Sequence, residues 1–346
     1  MAEKKQDIRK LSKQEIKDFF LEQGDKSFRG SQVYEWLWKN SANSFEAMTN
    51  LSKPTRELLA KHFEIKAVSL KESQTSTDRT IKSTFSLHDK NIIEGVLIPA
   101  KNRMTACISS QVGCSLSCSF CATGKLDRLR NLDAAEIYDQ VVLIKNQAET
   151  TYSSPLTNIV YMGMGEPLLN YANMLQSIAY ITSEEGLGMS PKRITVSTAG
   201  IAKMIRKLGD DEVKFNLALS LHAANDSKRS QMMEINDTNS LAELRDALKY
   251  YFTKTQNQIT YEYILFDGFN DSLQDAEELY QFTKHVPSKV NIIEYNPVSD
   301  TPYKKASSAA LDHFAAYLDK RDVNIMVRRS RGKDIDAACG QLAGKL

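Results

Sequence analysis

Residues 113–121 read Gly-Cys-Ser-Leu-Ser-Cys-Ser-Phe-Cys, and this short stretch is the strongest indication of the chain's fold and chemistry. Its cysteines, Cys114, Cys118 and Cys121, have C-x3-C-x2-C spacing, which lets three thiolates converge on one metal centre. A structural zinc ion takes four nitrogen or sulfur ligands, whereas [4Fe–4S] clusters are held by cysteine thiolates. Because no histidine lies nearby, the spacing favours a cluster with one iron open to a small molecule.

From residue 102 onward, predicted strands alternate with predicted helices. Six strands, each followed by helix, are predicted at residues 104–109, 157–163, 193–197, 213–221, 259–266 and 289–295, and a last strand at 323–327. Such a series implies a parallel sheet with right-handed crossovers. Six units are too few for a closed eight-stranded barrel, so residues 100–330 are predicted to form a partial (β/α)6 barrel. The cysteine loop follows the first strand, at the end where α/β proteins place their sites.

Three further segments flank the predicted barrel. Residues 1–75 are predicted to form a small helical accessory domain, which is either a packing appendage or a basic module that docks on nucleic acid. Residues 76–99 are predicted to form a β-hairpin linker, with strands at 80–87 and 91–99. Residues 331–346 form a C-terminal segment that carries Cys339.

Composition narrows the class of protein. The chain has 346 residues, is 42% hydrophobic and 25% charged, and is typical of a folded globular protein. Its net charge is only +2, but basic residues concentrate at 101–130 and near the C-terminus, where they form either a solvated face or a contact with a polyanion. No apolar run is long enough to span a bilayer and no secretory signal is evident, so we expect a cytoplasmic protein with reduced cysteines.

Several residues, most of them polar or small, end or directly follow the predicted strands and would face the same edge of the sheet as the cysteine loop. Taken singly, each could be an ordinary turn or cap residue. The predicted set is Gly165, Glu166, Ser197, Ser220, Leu221, His222 and Asn296.

The spacing of the cysteine loop resembles that of the radical S-adenosylmethionine (SAM) superfamily. The motif Tyr-Met-Gly-Met-Gly-Glu-Pro at 161–167, Ser-Leu-His at 220–222 and Arg-Gly-Lys-Asp-Ile-Asp-Ala-Ala-Cys-Gly-Gln-Leu at 331–342 are similar, in order, to those of the RlmN RNA methyltransferases. This resemblance covers essentially the whole chain and accounts for all five cysteines.

The resemblance implies the cofactors and a division of roles. Cys114, Cys118 and Cys121 would hold a [4Fe–4S] cluster, and the seven residues after the strands would bind SAM. Cys339 would become an S-methylcysteine intermediate, and Cys107 would free the product through a transient disulfide. Glu94 would accept the C2 proton of adenine. Two SAM molecules would be used for each 2-methyladenosine formed, through a covalent RNA–protein adduct.

The resemblance also implies partners. The substrates would be ribosomal RNA, at an adenosine near the peptidyl-transferase centre, and transfer RNA, at the adenosine 3′ of the anticodon. The basic segments 101–130 and 328–333 would contact phosphate, and the target adenine would be flipped into the barrel mouth. A reductase, flavodoxin or ferredoxin would supply electrons, and the protein would act as a monomer away from membranes.

Three alternatives remain open at this stage. A Cfr-type enzyme would share the mechanism but methylate C8 of the same adenosine. Arg331 before Gly332 favours C2, while residues 122–129 lack a Gly-Phe pair that many C2 enzymes carry. A non-catalytic iron–sulfur protein that binds RNA or senses redox state would not need Cys339. A zinc-stabilised RNA-binding module would contain zinc and be colourless.

Overall fold

A computed structural model describes residues 5–344. The first four residues of the predicted helical domain and the last two of the predicted C-terminal segment lie outside the described residues. The chain begins with three helices, α1 (Lys13–Glu22), α2 (Phe28–Trp38) and α3 (Lys53–His62), and a short parallel pair, β1 (Gln6–Asp7) and β2 (Phe63–Glu64). The Ser12 side chain accepts from the backbone N–H of Glu15, whose carboxylate accepts from the Ser12 N–H. This reciprocal capping fixes the start of α1.

A ten-stranded sheet forms the body of the molecule. Its first four strands are antiparallel: β3 (Ser69–Thr75), β4 (Ile81–Ser86), β5 (Ile92–Ala100) and β6 (Arg103–Cys107). A separate small ladder follows, made of β7 (Gln111–Val112) and β8 (Arg130–Asn131). The large sheet continues from β6 in parallel through β9 (Asn158–Tyr161), β10 (Ile194–Thr198), β11 (Asn216–Ser220), β12 (Ile259–Leu265), β13 (Ser288–Glu294) and β14 (Ile325–Arg328).

Helices connect the parallel strands in the order the sequence predicted. They are α4 (Ala134–Tyr152), α5 (Tyr171–Thr182), α6 (Ala202–Asp210), α7 (Asp226–Met232), α8 (Leu241–Thr255), α9 (Leu273–Thr283) and α10 (Ser308–Asp319). The predicted α/β partial barrel of six βα units is confirmed, with β14 as a last strand. The outer strands of the sheet, β3 and β14, are not paired with each other, so the barrel is open.

The structure differs from the sequence-based expectation before the barrel. Residues 69–75, predicted within the helical unit, form the edge strand β3, in which every residue is exposed. This segment carries almost no apolar residues, so neither a helical nor a strand period is visible in it. The hairpin of β4 and β5 also pairs with β6 and extends the main sheet. The exact division into domains stays a prediction.

The pairing of β5 with β6 orients two of the predicted catalytic residues. Cys107 lies opposite Val96, and Glu94 is two residues from Val96 along β5. Because side chains alternate between the faces of a strand, Glu94 and Cys107 belong to the same face of the sheet.

Polar and aromatic contacts join the helical unit to the barrel. The buried Arg9 guanidinium lies 2.8 Å from Asp139 on α4 and 3.3 Å from Asp7. Trp38 stacks on Tyr180 of α5, with ring centroids 3.5 Å apart. None of the helices in residues 5–344 has the length and apolar character needed to cross a membrane.

Candidate active site

A cavity of about 160 Å³ opens at the carboxyl ends of the parallel strands. The cysteine loop forms one wall, the loops after β9, β10 and β11 form the opposite wall, and Cys339 closes it from the C-terminal segment. Among the predicted site residues, those that line this cavity are Cys114, Cys118, Cys121, Gly165, Glu166, Ser197, Ser220, His222 and Cys339. The fold therefore brings residues from distant parts of the chain to one place.

Close backbone contacts shape the cysteine loop. A Cβ at Gly113, where φ is +75°, would lie 2.0 Å from the carbonyl oxygen of Asp127. A Cβ at Gly124 would lie 2.7 Å from the carbonyl oxygen of Cys118. Only glycine fits at these two positions, because the loop folds back onto itself there. The Cys121 N–H donates to the Cys118 carbonyl at 3.1 Å, which turns the last two cysteines toward the cavity.

The three thiols of the loop are poorly solvated. Burial raises the pKa of Cys114 to about 11 and that of Cys118 well above its usual value, and the neighbouring thiols add to both effects. Within residues 5–344, no three His, Cys, Asp or Glu side chains are grouped closely enough to hold a single metal ion. Three half-buried thiols around one cavity fit a multi-iron [4Fe–4S] cluster, whose iron would supply the positive charge that thiolates need.

The loop after β9 is pressed against the strand that precedes the cysteines. A Cβ at Gly165, where φ is +92°, would lie 2.4 Å from the side chain of Gln111. The Gln111 side-chain oxygen accepts from the backbone N–H of Glu166 at 2.8 Å. The Glu166 carboxylate accepts from the N–H groups of Leu168 at 3.0 Å and Ala199 at 2.8 Å, so it joins the loops after β9 and β10. Burial raises the pKa of Glu166 to about 7 despite these bonds.

Of the other predicted SAM residues, His222 lines the cavity, whereas Leu221 and Asn296 do not. His222, in the left-handed conformation at φ 56°, accepts through Nδ1 from the Ile264 N–H at 3.1 Å. Burial and then the nearby Arg229 lower the pKa of His222 to about 3, so its ring is neutral at physiological pH. The Leu221 side chain is fully buried in the core, and Asn296 lies outside the cavity lining.

Cys107 and Cys339 line a second, smaller cavity of about 70 Å³, together with Arg328. Arg328 lies 3.1 Å from Glu262, a buried carboxylate that lines the first cavity. Burial and the neighbouring Cys339 raise the pKa of Cys107 to about 12, while the positive charge of Arg328 opposes this rise. Cys339 lines both cavities, which places it between the cysteine loop and Cys107.

Glu94 is buried beneath the C-terminal segment. Its carboxylate accepts from the backbone N–H groups of Ala343 at 2.8 Å and Gly344 at 3.2 Å, and Lys82 lies 3.8 Å away. Glu94 does not line either of the two cavities that contain Cys339. The C-terminal segment that carries Cys339 also contacts Glu94, and the end of that segment covers the Glu94 carboxylate.

Ion pairs hold the start of the C-terminal segment. Glu294 at the end of β13 lies 2.8 Å from Arg329 and 2.7 Å from Lys333. Burial alone would raise the pKa of Glu294, but hydrogen bonds from Lys333, Arg329 and the Ser330 N–H outweigh it and lower the pKa to about 2. Further along, the Ala122 N–H donates to the Gly340 carbonyl at 2.7 Å, which ties the segment to the cysteine loop.

Much of the basic charge predicted to contact phosphate is engaged within the molecule. Arg130 pairs with Asp89 and Glu136, and Arg328, Arg329 and Lys333 pair with the two buried glutamates. In the first segment, Lys125 is also engaged, because it donates to the carbonyl oxygens of Ser299 and Asp300. The other exposed cations of that segment are Lys101, Arg103 and Arg128.

Sequence reasoning missed three polar residues around the site. Glu262 interrupts the apolar run 259–266, and a charge inside a buried strand was a usable signal. Nothing in the sequence around Gln111 or Arg229 marks them as site residues. Their side chains bond to backbone groups of Glu166 and Ala199, which are distant in the sequence.

Comparisons with known proteins agree with this geometry. The family model described as the Radical SAM superfamily matches residues 108–283, and the ribosomal RNA large subunit methyltransferase N-terminal domain matches residues 6–65. A solved radical SAM methyltransferase from Sphaerobacter thermophilus is 37% identical, with a TM-score of 0.93, over 98% of this chain and 100% of that one. The partial barrel and its cysteine loop are thus those of a radical SAM protein, a class that uses a [4Fe–4S] cluster and SAM.

Full-length relatives narrow the class to a family. A protein of Cytophaga hutchinsonii named "Probable dual-specificity RNA methyltransferase RlmN" is 61% identical over 99% of this chain and 94% of its own length. A Pelobacter propionicus protein named "Dual-specificity RNA methyltransferase RlmN" is 40% identical over 99% of this chain and 97% of its own. The chain belongs to the RlmN family of radical SAM RNA methyltransferases.

Proposed function

We propose that this protein methylates C2 of adenosine in ribosomal RNA and in transfer RNA. The observation that carries the proposal is the position of Cys339, which lines both the cavity of the cysteine loop and the cavity of Cys107. C2 of adenine is electron-poor and not nucleophilic, so a direct polar transfer from SAM would fail. A protein-bound methyl carrier between a radical source and a second thiol solves this problem.

The roles proposed for the chain's residues follow from that arrangement. Cys114, Cys118 and Cys121 hold the cluster, and those residues at the strand ends that line the cavity hold SAM. When bound, the cluster and SAM supply a 5′-deoxyadenosyl radical. Cys339 accepts a methyl group from a first SAM and loses a hydrogen atom from it when a second SAM is used. The methylene carbon on Cys339 then bonds to C2 of the adenine, giving a covalent adduct.

Resolution of the adduct requires a base and a thiol. The adduct must lose its unpaired electron, which the oxidised cluster would accept, and its C2 proton, which Glu94 takes, so that the ring becomes aromatic again. The Cys107 thiolate then attacks the Cys339 sulfur and closes a transient disulfide, and the methylene carbon leaves with the C–S electron pair and takes a proton to become the methyl group of the RNA. The positive charge of Arg328 favours the thiolate of Cys107. Because the N–H groups of Ala343 and Gly344 bond to Glu94, the end of the chain must move away before Glu94 can act.

The proposed partners follow from the same chemistry. Exposed cations at Lys101, Arg103 and Arg128 are candidates for phosphate contacts, with the target adenine flipped into the mouth. The specific adenosines are those next to the peptidyl-transferase centre and 3′ of the anticodon. An electron-donating reductase, flavodoxin or ferredoxin reduces the cluster, and we propose a monomer working in the cytoplasm.

Mass spectrometry of nucleosides tests the proposal. Both RNAs are incubated anaerobically with the cluster-loaded protein, a reductant and SAM. A 2-methyladenosine product from each RNA is the expected result. An 8-methyladenosine product would assign the protein to the Cfr type instead. Neither product, with an intact cluster and no release of 5′-deoxyadenosine, would favour the non-catalytic iron–sulfur protein, and zinc in place of iron would favour the zinc module.

A further inference from the structure

Arg229 on α7 is a buried cation that is not paired with a carboxylate. The residue is fully buried, and its guanidinium donates to the carbonyl oxygens of Ala199 at 2.5 Å, Ser220 at 3.2 Å and Leu221 at 3.2 Å, and to the Asn236 side-chain oxygen at 2.7 Å. All four acceptors are uncharged. No salt bridge within residues 5–344 includes Arg229.

An uncompensated charge at this depth is costly to bury. A charge that is removed from water and meets only neutral acceptors destabilises the fold, because those acceptors replace only part of its hydration. Burial lowers the pKa of Arg229 to about 10, while Cys118 and Asp226 act in the opposite direction, so the guanidinium remains protonated at neutral pH. A residue that only tied together the ends of β10 and β11 would not need a charge.

The helix that carries Arg229 is bonded directly to the cysteine loop. The backbone N–H and the hydroxyl of Ser119 both donate to the Met232 carbonyl, at 3.1 and 3.2 Å. Ser119 is the residue after Cys118. The Ala199 and Ser220 carbonyls that accept from Arg229 belong to residues that line the same cavity as the three cysteines of the loop. Of the titratable groups near Arg229, His222 is neutral. The Asp226 carboxylate acts on Arg229 only from a distance, because its oxygen accepts from Asn236 and from the Leu241 N–H instead of from the guanidinium.

We propose that Arg229 is a positioning residue that serves as the buried counter-charge of the iron–sulfur cluster and raises its reduction potential. The inference rests on the proposed ligands Cys114, Cys118 and Cys121. A [4Fe–4S]2+ core with three thiolates carries a net negative charge, and reduction adds another electron. A fixed cation in a poorly solvated site stabilises the more negative, reduced state, and net charge is one of the factors that set cluster potentials.

The test is the reduction potential of the loaded full-length protein, measured by mediated electrochemical titration without SAM or RNA. Arg229→Gln removes the charge, and Arg229→Lys retains it with fewer hydrogen bonds. Asn236→Asp places a carboxylate on the unchanged guanidinium. The control is Arg206→Gln, which removes an exposed arginine from α6.

We expect Arg229→Gln and Asn236→Asp to lower the ratio of reduced to oxidised cluster at a fixed applied potential at least tenfold, which is about 59 mV for a one-electron couple. Arg229→Lys and Arg206→Gln should stay near the parent value. The proposal is overturned if the Gln and Lys variants shift the potential equally, or if Asn236→Asp leaves it unchanged. Should Arg229→Gln fail to load, Asn236→Asp alone decides. Because no RNA is used, the result is independent of whether adenosine C2 is the target.

Discussion

The two thiols outside the cysteine loop have different expected phenotypes. Changing Cys107 to Ala should stop turnover after the adduct has formed, because no thiol remains to attack the Cys339 sulfur. The measurement is a denaturing gel of anaerobic reactions with labelled RNA, in which a protein-linked RNA band should accumulate.

Cys339→Ala provides the matched comparison at the other end of the same cavity. This variant lacks the methyl carrier, so it should give neither the linked band nor methylated product while still loading its cluster. Full methylation by Cys339→Ala would show that the methyl-relay scheme is wrong, and a linked band in its lane would show that another residue bonds to RNA.

Single residues of the candidate site can be proposed from sequence where they belong to a dense motif, but not where they act through distant contacts. The spacing of Cys114, Cys118 and Cys121 is visible in nine residues of sequence. That Cys107 meets Cys339 followed only from a family resemblance, because nothing local to either cysteine specifies a partner in another part of the chain. Arg229 was invisible, since its partners are backbone carbonyls supplied by two other strands.

The C-terminal segment is the element whose stability should depend on pH. Glu294 has a pKa of about 2 in the folded protein, below its ordinary value, so its ion pairs stabilise the segment fully above pH 4.5 and are lost as the pH falls toward 2. Hydrogen bonds to charged groups contribute about 1.5–3 kcal/mol. Glu294→Gln should therefore loosen residues 329–344 already at neutral pH.

Hydrogen exchange followed by mass spectrometry measures this effect. In the Glu294→Gln variant, peptides from the C-terminal segment should exchange about tenfold faster, as a loss of about 1.4 kcal/mol predicts. The control, Glu46→Gln, changes an exposed carboxylate in the N-terminal unit and should leave the segment at the parent rate. Equal exchange in both variants would mean that other contacts, such as the one from Ala122 to Gly340, suffice to hold the segment.

Helices and strands could be predicted from the sequence where their hydrophobic pattern is strong. The parallel strands are short apolar runs bounded by polar turns, and all of them were found close to their predicted positions. Strand β3 was missed because its seven residues are all exposed and follow no period. It exists because β4 offers an edge to pair with, which is tertiary information.

At the scale of the whole molecule, stability should depend on the junction between the helical unit and the barrel. Arg9 is buried between Asp7 and Asp139, with only 3% of its side chain exposed. Replacing Arg9 with Met leaves the buried Asp7 and the partly buried Asp139 without this cation, and breaking buried pairs costs about 3–5 kcal/mol. The variant should unfold at lower denaturant concentration than the parent protein.

The neighbouring Lys10 supplies the control. Its ion pair with Asp133 is half exposed, at 52% and 40% of the two side chains, so Lys10→Ala should cost less than about 1 kcal/mol. Equal losses of unfolding free energy in Arg9→Met and Lys10→Ala would show that the buried ion pairs of Arg9 stabilise the protein no more than the exposed pair of Lys10.

The antiparallel pairing of β5 with β6 has a consequence for which sequence changes the protein can accept. Glu94 and Cys107 are on a common face because Glu94 is two positions away from Val96, the partner of Cys107. Inserting one residue between them would turn the carboxylate to the reverse side of the sheet, whereas inserting two would restore its side but displace it by about 6.8 Å. The strand can therefore accept substitutions. An insertion or deletion of any length in it, however, moves the proposed base away from the proposed thiol.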